Sequence, residues 1–198
     1  LNLEIKSGDF IRIIGPSGSG KSTLMKLIAS LISPTSGEIF YKGEPLLEQD
    51  LLKYRQKVSY FFQNPRLFGK TVYENLEFPY KVSGRKFDKE RVIELLHKVN
   101  LDESYINKPI NDLSGGEAQR IAFVRNMIMD PEVLLLDEVT SSLDSKNRDQ
   151  IISWVGDLNK QGQTVFWITH FEKDINESQK TLLVADGKAE FVDGTATN

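Results

Sequence analysis

The chain has 198 residues, 39% hydrophobic and 27% charged, the composition of an ordinary globular domain with one sizeable core. A net charge of −3 argues against nucleic acid as the ligand, because proteins that bind it usually carry a basic excess. The absence of cysteine excludes disulfides and thiolate metal sites, and the longest apolar runs, such as 133–136, are far too short to cross a bilayer.

The first residues, Leu1-Asn2-Leu3-Glu4-Ile5, alternate in polarity and read as a strand already under way, so a domain trimmed at its N-terminus is expected. Ser7-Gly8-Asp9 predicts a turn, and 10–14 a strand apolar enough to be buried on both faces. A helix is expected from about Lys21, with Leu24, Leu27, Ile28 and Leu31 at helical spacing. Pro34-Thr35-Ser36-Gly37 predicts a second turn and 38–41 a further strand, followed later by one over 58–61. Two helices dominate the stretch from about 64 to 112, near 71–80 and 88–99, the latter with Val92, Leu95, Leu96 and Val99 on one face. Strands at 133–136 and 164–168 flank a helix over about 145–161, and two short strands meet at Asp186-Gly187. Such alternation predicts an α/β fold with a mostly parallel central sheet and a small antiparallel β subdomain. A single domain over 1–198 is expected, with a helical subdomain at about 64–130 inserted into the α/β core.

Gly15-Pro16-Ser17-Gly18-Ser19-Gly20-Lys21-Ser22, followed by Thr23, fits the phosphate-loop pattern G-x-x-x-x-G-K-S between a strand and a helix. Its glycines let the backbone curl until N–H groups face inward, and the helix N-terminus adds partial positive charge. Lys21 supplies an ammonium for the β- and γ-phosphates, and the Ser22 hydroxyl can bind Mg²⁺. Further on, the apolar run at 133–136 ends in Asp137-Glu138. In phosphate-loop enzymes an acid so placed holds Mg²⁺, which gives Asp137 that role. Glu138 is then the candidate to accept a proton from the attacking water. The plainer reading, a solvated acidic turn, loses weight with the loop upstream.

Leu113-Ser114-Gly115-Gly116-Glu117-Ala118-Gln119-Arg120 carries its own physical logic. Ser114 can cap the helix that follows, Glu117 completes a capping box, and two glycines leave backbone N–H groups bare for an anion. A capping motif alone accounts for Ser114 and Glu117 but not for Gly115 and Gly116. Together with Gln-Arg, this LSGGE run closely resembles the signature of the ABC ATPases, and the resemblance covers essentially the whole chain. It implies ATP and Mg²⁺ as ligands and a head-to-tail homodimer, in which one copy's Ser114, Gly115 and Gly116 close on ATP held by the other's phosphate loop. By the same resemblance Gln63 is the glutamine that reaches Mg²⁺ and the attacking water. Ser142-Leu143-Asp144 matches the loop crossing the dimer interface, and His170 matches the switch histidine at the γ-phosphate.

The family implies transport driven through a separate membrane permease, at the cytoplasmic face of the membrane, with no nucleic acid as partner. Soluble ABC proteins that act on nucleic acid or ribosomes insert a long coiled coil or carry two nucleotide domains in tandem, and neither is visible here. A purely regulatory nucleotide-binding module would lack the catalytic acid, whereas Glu138 is present. Two departures stand out. No aromatic residue before Gly15 matches the ring that stacks on adenine, and Val139 stands where many importers have proline. The stretches 62–69 and 73–76 resemble short bacterial ATPases of metal (iron) export systems. The aromatic run 61–80, with Phe61, Phe62, Phe68, Tyr73, Phe78 and Tyr80, is expected either to dock the permease or to pack the helical subdomain.

Overall fold

The computed structural model describes residues 2–169 and 180–192. The chain divides into two units, one formed by 1–60, 131–138 and 159–198, the other by 61–130 and 139–158.

The first unit is built on a six-stranded sheet in the order β4-β5-β6-β1-β7-β8, comprising β4 (Val58–Phe61), β5 (Val133–Asp137), β6 (Thr164–Ile168), β1 (Phe10–Ile14), β7 (Lys180–Ala185) and β8 (Lys188–Val192). β1 pairs in parallel with both β6 and β7, β5 pairs in parallel with β6, and β7–β8 is antiparallel, closed at Asp186-Gly187. The apolar β5 and β6 are buried throughout or nearly so, as strands of a covered parallel sheet must be. α1 (Lys21–Ile28) packs against β5 and β6. It is shorter than its apolar spacing predicts. Ser30 takes a left-handed φ of 54°, the chain leaves the helical axis, and Leu31 ends up 42% exposed while Met25 and Ala29 fill the core. The alternation at 2–5 likewise yields no strand. Leu3 and Ile5 pack onto the core, which satisfies the apolar side of the pattern. The expected strand at 38–41 contracts to β2 (Phe40–Tyr41), paired with β3 (Glu44–Pro45) across Lys42-Gly43, both with positive φ as this tight hairpin turn requires. Glu132 anchors this hairpin, accepting from the Tyr41 hydroxyl at 2.8 Å and pairing with Lys42 and Lys57. One helix, α2 (Leu51–Lys57), has no counterpart in the sequence reading; Asp50 caps it through the amides of Leu52 and Lys53.

The second unit is helical. α3 (Val72–Ser83) opens on a capping box between Thr71 and Glu74 and closes on Gly84 at φ 70°. α4 (Lys89–Lys98) is capped by Asp88 and buries Val92, Leu95 and Leu96, the face predicted from spacing. α5 (Gly115–Met127) and α6 (Ser145–Lys160) complete the helical set, α6 belonging to this unit through Leu158. Burying each of these leucines contributes roughly 1.5–3 kcal/mol.

Candidate functional site

In the first unit the chain leaves β1 directly into the phosphate loop. Gly15 has φ 146°, and a Cβ there would lie 2.0 Å from the carbonyl oxygen of Val184, so no side chain fits. Gly20, at φ 101°, is the N-cap of α1 and offers no side chain to its first turn, which leaves those amides for an external acceptor. The Lys21 ammonium donates to the carbonyl oxygens of Gly15 and Pro16, 2.8 Å from each, and so braces the curl of the loop. Ser19 contributes a buried hydroxyl without a partner among the described residues. A backbone cradle that excludes side chains, an uncapped helix start and an orphan hydroxyl together fit a bound phosphate chain. Thr23 is exposed on the first turn.

Asp137 ends β5 and is buried. Its Oδ2 accepts from the Tyr60 hydroxyl at 2.5 Å. Burial pushes the Tyr60 phenol up, and the bond to Asp137 adds to it, so the group stays a neutral donor. Ser22 on the first turn of α1 and Asp137 at the end of β5 supply oxygen donors in the same unit. This donor set suits Mg²⁺, which takes one or two protein oxygens and leaves the rest of its shell to phosphates and water. Among the described residues no cluster of three or more His, Asp or Glu competes as a metal site.

Glu138 follows at once with φ 49°, a left-handed conformation that costs a non-glycine residue roughly 1–3 kcal/mol and is commonest at functional positions. Its amide donates to Ile168 O at 3.0 Å, which pins the turn.

The second unit holds the signature. Ser114 is the N-cap of α5: its hydroxyl accepts from the Glu117 amide at 3.2 Å, and Glu117 accepts from the Ser114 amide at 2.7 Å. The Tyr105 hydroxyl also donates to Glu117, with Lys108 nearby. These donors, the Tyr105 bond foremost, hold the Glu117 carboxyl down to about 2. A Cβ on Gly115 would meet nothing within 4 Å, so the chain itself makes no demand for glycine there. The residues after the glycines organise the unit. Gln119 donates to Phe62 O at 3.3 Å, beside the exposed Gln63, and buried Arg120 donates to Val99 O, Asn100 O and Asn147 Oδ1. Asp144 accepts from the Asn147 amide and side chain at 2.9 and 2.6 Å, capping α6 while remaining exposed; the Asn147 amide bond is the main reason its carboxyl lies below the ordinary value.

The predicted residues therefore fall into two groups: Gly15 to Thr23, Asp137 and Glu138 in the first unit, Gln63, Ser114 to Gly116 and Asp144 in the second. His170 lies outside the described residues. Sequence reading missed Tyr60, which looks like any aromatic in a buried strand; its distinguishing signal is a hydroxyl where a phenylalanine would pack equally well. The aromatic run divides. Phe61 and Tyr80 are buried, whereas Phe62, Phe68 and Phe78 are 46%, 41% and 48% exposed. Buried Asn75 holds the loop between them, bonding to Phe68 N, Phe68 O and Thr71 O, and accepts from Arg125 at 3.0 Å.

A phosphate loop on a mostly parallel sheet, with a signature helix in a second unit, defines an ATP-binding cassette. The chain belongs to the ABC transporter family, whose model matches residues 1–141. It is 44% identical over 183 residues to the "Probable iron export ATP-binding protein FetA" of Escherichia coli (strain K12), covering 92% of this chain and 81% of that one. It is 37% identical to the lipoprotein-releasing system ATP-binding protein LolD 1 of Chlorobium chlorochromatii (strain CaD3), covering 96% and 81%. Among solved structures it is similar to a dimeric post-hydrolysis state of the ATP-binding cassette MJ0796 bound to ADP and Pi. The TM-score is 0.86 at 34% identity, covering 98% of this chain and 90% of that one. The chain is accordingly an ATPase whose ATP binding and hydrolysis drive transport through a membrane permease. No helix among the described residues is long and apolar enough to cross a membrane.

Proposed function

We propose that this chain works as a head-to-tail homodimer on the cytoplasmic face of a membrane, hydrolysing Mg-ATP to drive export of a metal ion through a separate permease. The observation that carries the dimer is the presence of two phosphate-ready helix starts, at Gly20-Lys21 and at Ser114-Gly115-Gly116. A nucleotide held by one copy's loop would meet the signature of the other, with Asp144 crossing between the copies. The whole chain is read as one cassette domain, with the helical segment 64–130 as its insertion. The cargo reading rests on the name of the 44% identical relative and on the likeness over 62–69 and 73–76.

Lys21 and the loop amides hold the β- and γ-phosphates, while Ser22, Asp137 and Gln63 are the groups that would hold Mg²⁺. Mg²⁺, when bound, supplies neutralisation of the phosphate charge. Glu138 takes the proton of the water whose oxygen attacks the γ-phosphorus, as the bond from that phosphorus to the bridging oxygen breaks and ADP leaves. His170 is assigned the γ-phosphate contact.

Light scattering on Glu138→Gln protein tests the dimer: its mass should double with Mg-ATP and not with ADP. A mass that stays monomeric at saturating ATP overturns the composite site. With the permease present, transition-metal ions should stimulate hydrolysis; indifference to every such ion overturns the cargo reading.

A further inference from the structure

We infer that Asn147 is a positioning residue of the dimer's nucleotide site, its side-chain amide tying the carboxylate of Asp144 to the signature turn through Arg120. The inference rests on the head-to-tail dimer proposed above, in which Asp144 and Ser114 to Gly116 are the groups that one copy presents to the other.

Every link lies within the helical unit. Arg120 on α5 is buried, and its Nε donates to Gly116 O at 3.3 Å, the carbonyl of the second signature glycine. Its Nη1 donates to Asn147 Oδ1 at 3.0 Å. From the other end of the same amide, Asn147 Nδ2 donates to Asp144 Oδ2 at 2.6 Å.

The chemistry asks for an amide at 147. A guanidinium only donates and an ionised carboxylate only accepts, so a group between them must accept at one end and donate at the other. A primary amide does both on a short planar frame. Turning it round would set donor against Arg120 and acceptor against Asp144, which fixes its orientation. Asn100 Nδ2, 3.3 Å from Oδ1, adds a second donor on the accepting side. Capping α6 does not need this bridge. The Asn147 backbone amide already donates to Asp144 Oδ1 at 2.9 Å, and any residue but proline at 147 supplies that bond. The side-chain bond takes up the second carboxylate oxygen. Held at both oxygens, Asp144 has a single orientation, and α5 sets it. Arg120 also donates to Val99 O and Asn100 O, so the bridge is anchored just past the end of α4.

Asn147→Asp in the full chain keeps the backbone cap and the acceptor for Arg120, and removes only the donor to Asp144. Calorimetry with Mg-ADP reads the site held within one copy. Light scattering with Mg-ATP, in the Glu138→Gln background, reads the closure of two copies. ADP affinity should match the parent, while the protein concentration at which half the chains are dimeric should rise about tenfold, within the range usual for coupled sites. Asn147→Leu, which adds no charge and cuts both ends of the bridge, should raise it as well. An unchanged half-dimer concentration in either variant overturns the bridge. So does an equal fall in ADP affinity and dimer formation, which would make Asn147 a folding element of the unit. Glu138→Gln protein that never dimerises, or that dimerises as readily with Ser114→Arg added, overturns the head-to-tail reading itself, and so tells that failure from failure of the bridge.

Discussion

The Nζ of Lys21 lies 2.8 Å from the carbonyl oxygen of Gly15, six residues back along the same loop, and equally close to that of Pro16. The cation therefore has two tasks, bracing the curl and offering its remaining proton to a phosphate oxygen. Lys21→Ala removes both. Losing a charge-assisted hydrogen bond costs about 1.5–3 kcal/mol, so ATP affinity measured by calorimetry should fall roughly 10- to 150-fold. Unchanged affinity would mean that 15–22 is not the phosphate site.

Glu138→Gln keeps the side-chain shape and the left-handed turn while removing the base. Hydrolysis should slow by roughly 10²–10⁴, the range for losing a positioned general base, with Mg-ATP binding retained. Steady-state turnover close to the parent rate, in folded protein, would remove Glu138 from the mechanism.

Ser114→Arg should block hydrolysis without weakening ATP binding by the monomer, because the signature acts on the other copy's nucleotide. Mixed with excess Lys21→Ala protein, it forms dimers with one intact phosphate loop facing one intact signature. Hydrolysis should then partly return. If mixed dimers form and remain inactive, the head-to-tail arrangement is wrong.

Acid should loosen the signature helix in a defined window. Glu117 has its carboxyl held to about 2, by the Tyr105 hydroxyl first and the Ser114 amide next, against an ordinary value of 4.5. A carboxylate lowered on folding stabilises fully above its unfolded value, and that contribution is lost as pH falls toward 2. Thermal melts between pH 5 and 2 should therefore decline, and Tyr105→Phe should flatten the decline by removing the leading cause. A slope the same in both proteins would show that Tyr105 does not hold Glu117.

The aromatic residues of 61–80 should separate by burial. Phe61→Ala and Tyr80→Ala remove core side chains, and loss of a buried aromatic costs about 3–5 kcal/mol. Polar changes at exposed Phe62 or Phe78 should leave the melting temperature and the isolated ATPase nearly unchanged and uncouple transport when the permease is present. Transport that survives both changes would place the docking surface elsewhere.

Much of the site was legible because its motifs are local. The phosphate loop is eight consecutive residues, and its chemistry depends on glycine conformation and the strand before it. The box at Ser114 and Glu117 is a contact over three residues, and the spacing alone predicts its two hydrogen bonds. The buried face of α4 follows from helical period in the same way.

What local pattern could not decide is where the chain stops obeying it. The apolar spacing through Leu31 would extend α1, but the backbone reverses at Ser30 and the core takes Met25 and Ala29 instead. The alternation at Leu3 and Ile5 is real, yet a strand needs a hydrogen-bonding neighbour, and these residues pair with no strand among the described residues. The same limit hid Tyr60. The sequence by itself determined the phosphate loop, the signature and the acidic strand end, because their chemistry is carried by residues a few positions apart. Only the tertiary structure decided which aromatics are core and that Tyr60 donates to Asp137. Tyr60 and Asp137 are 77 residues apart and meet because β4 and β5 are neighbours in the sheet, a pairing no short-range pattern encodes.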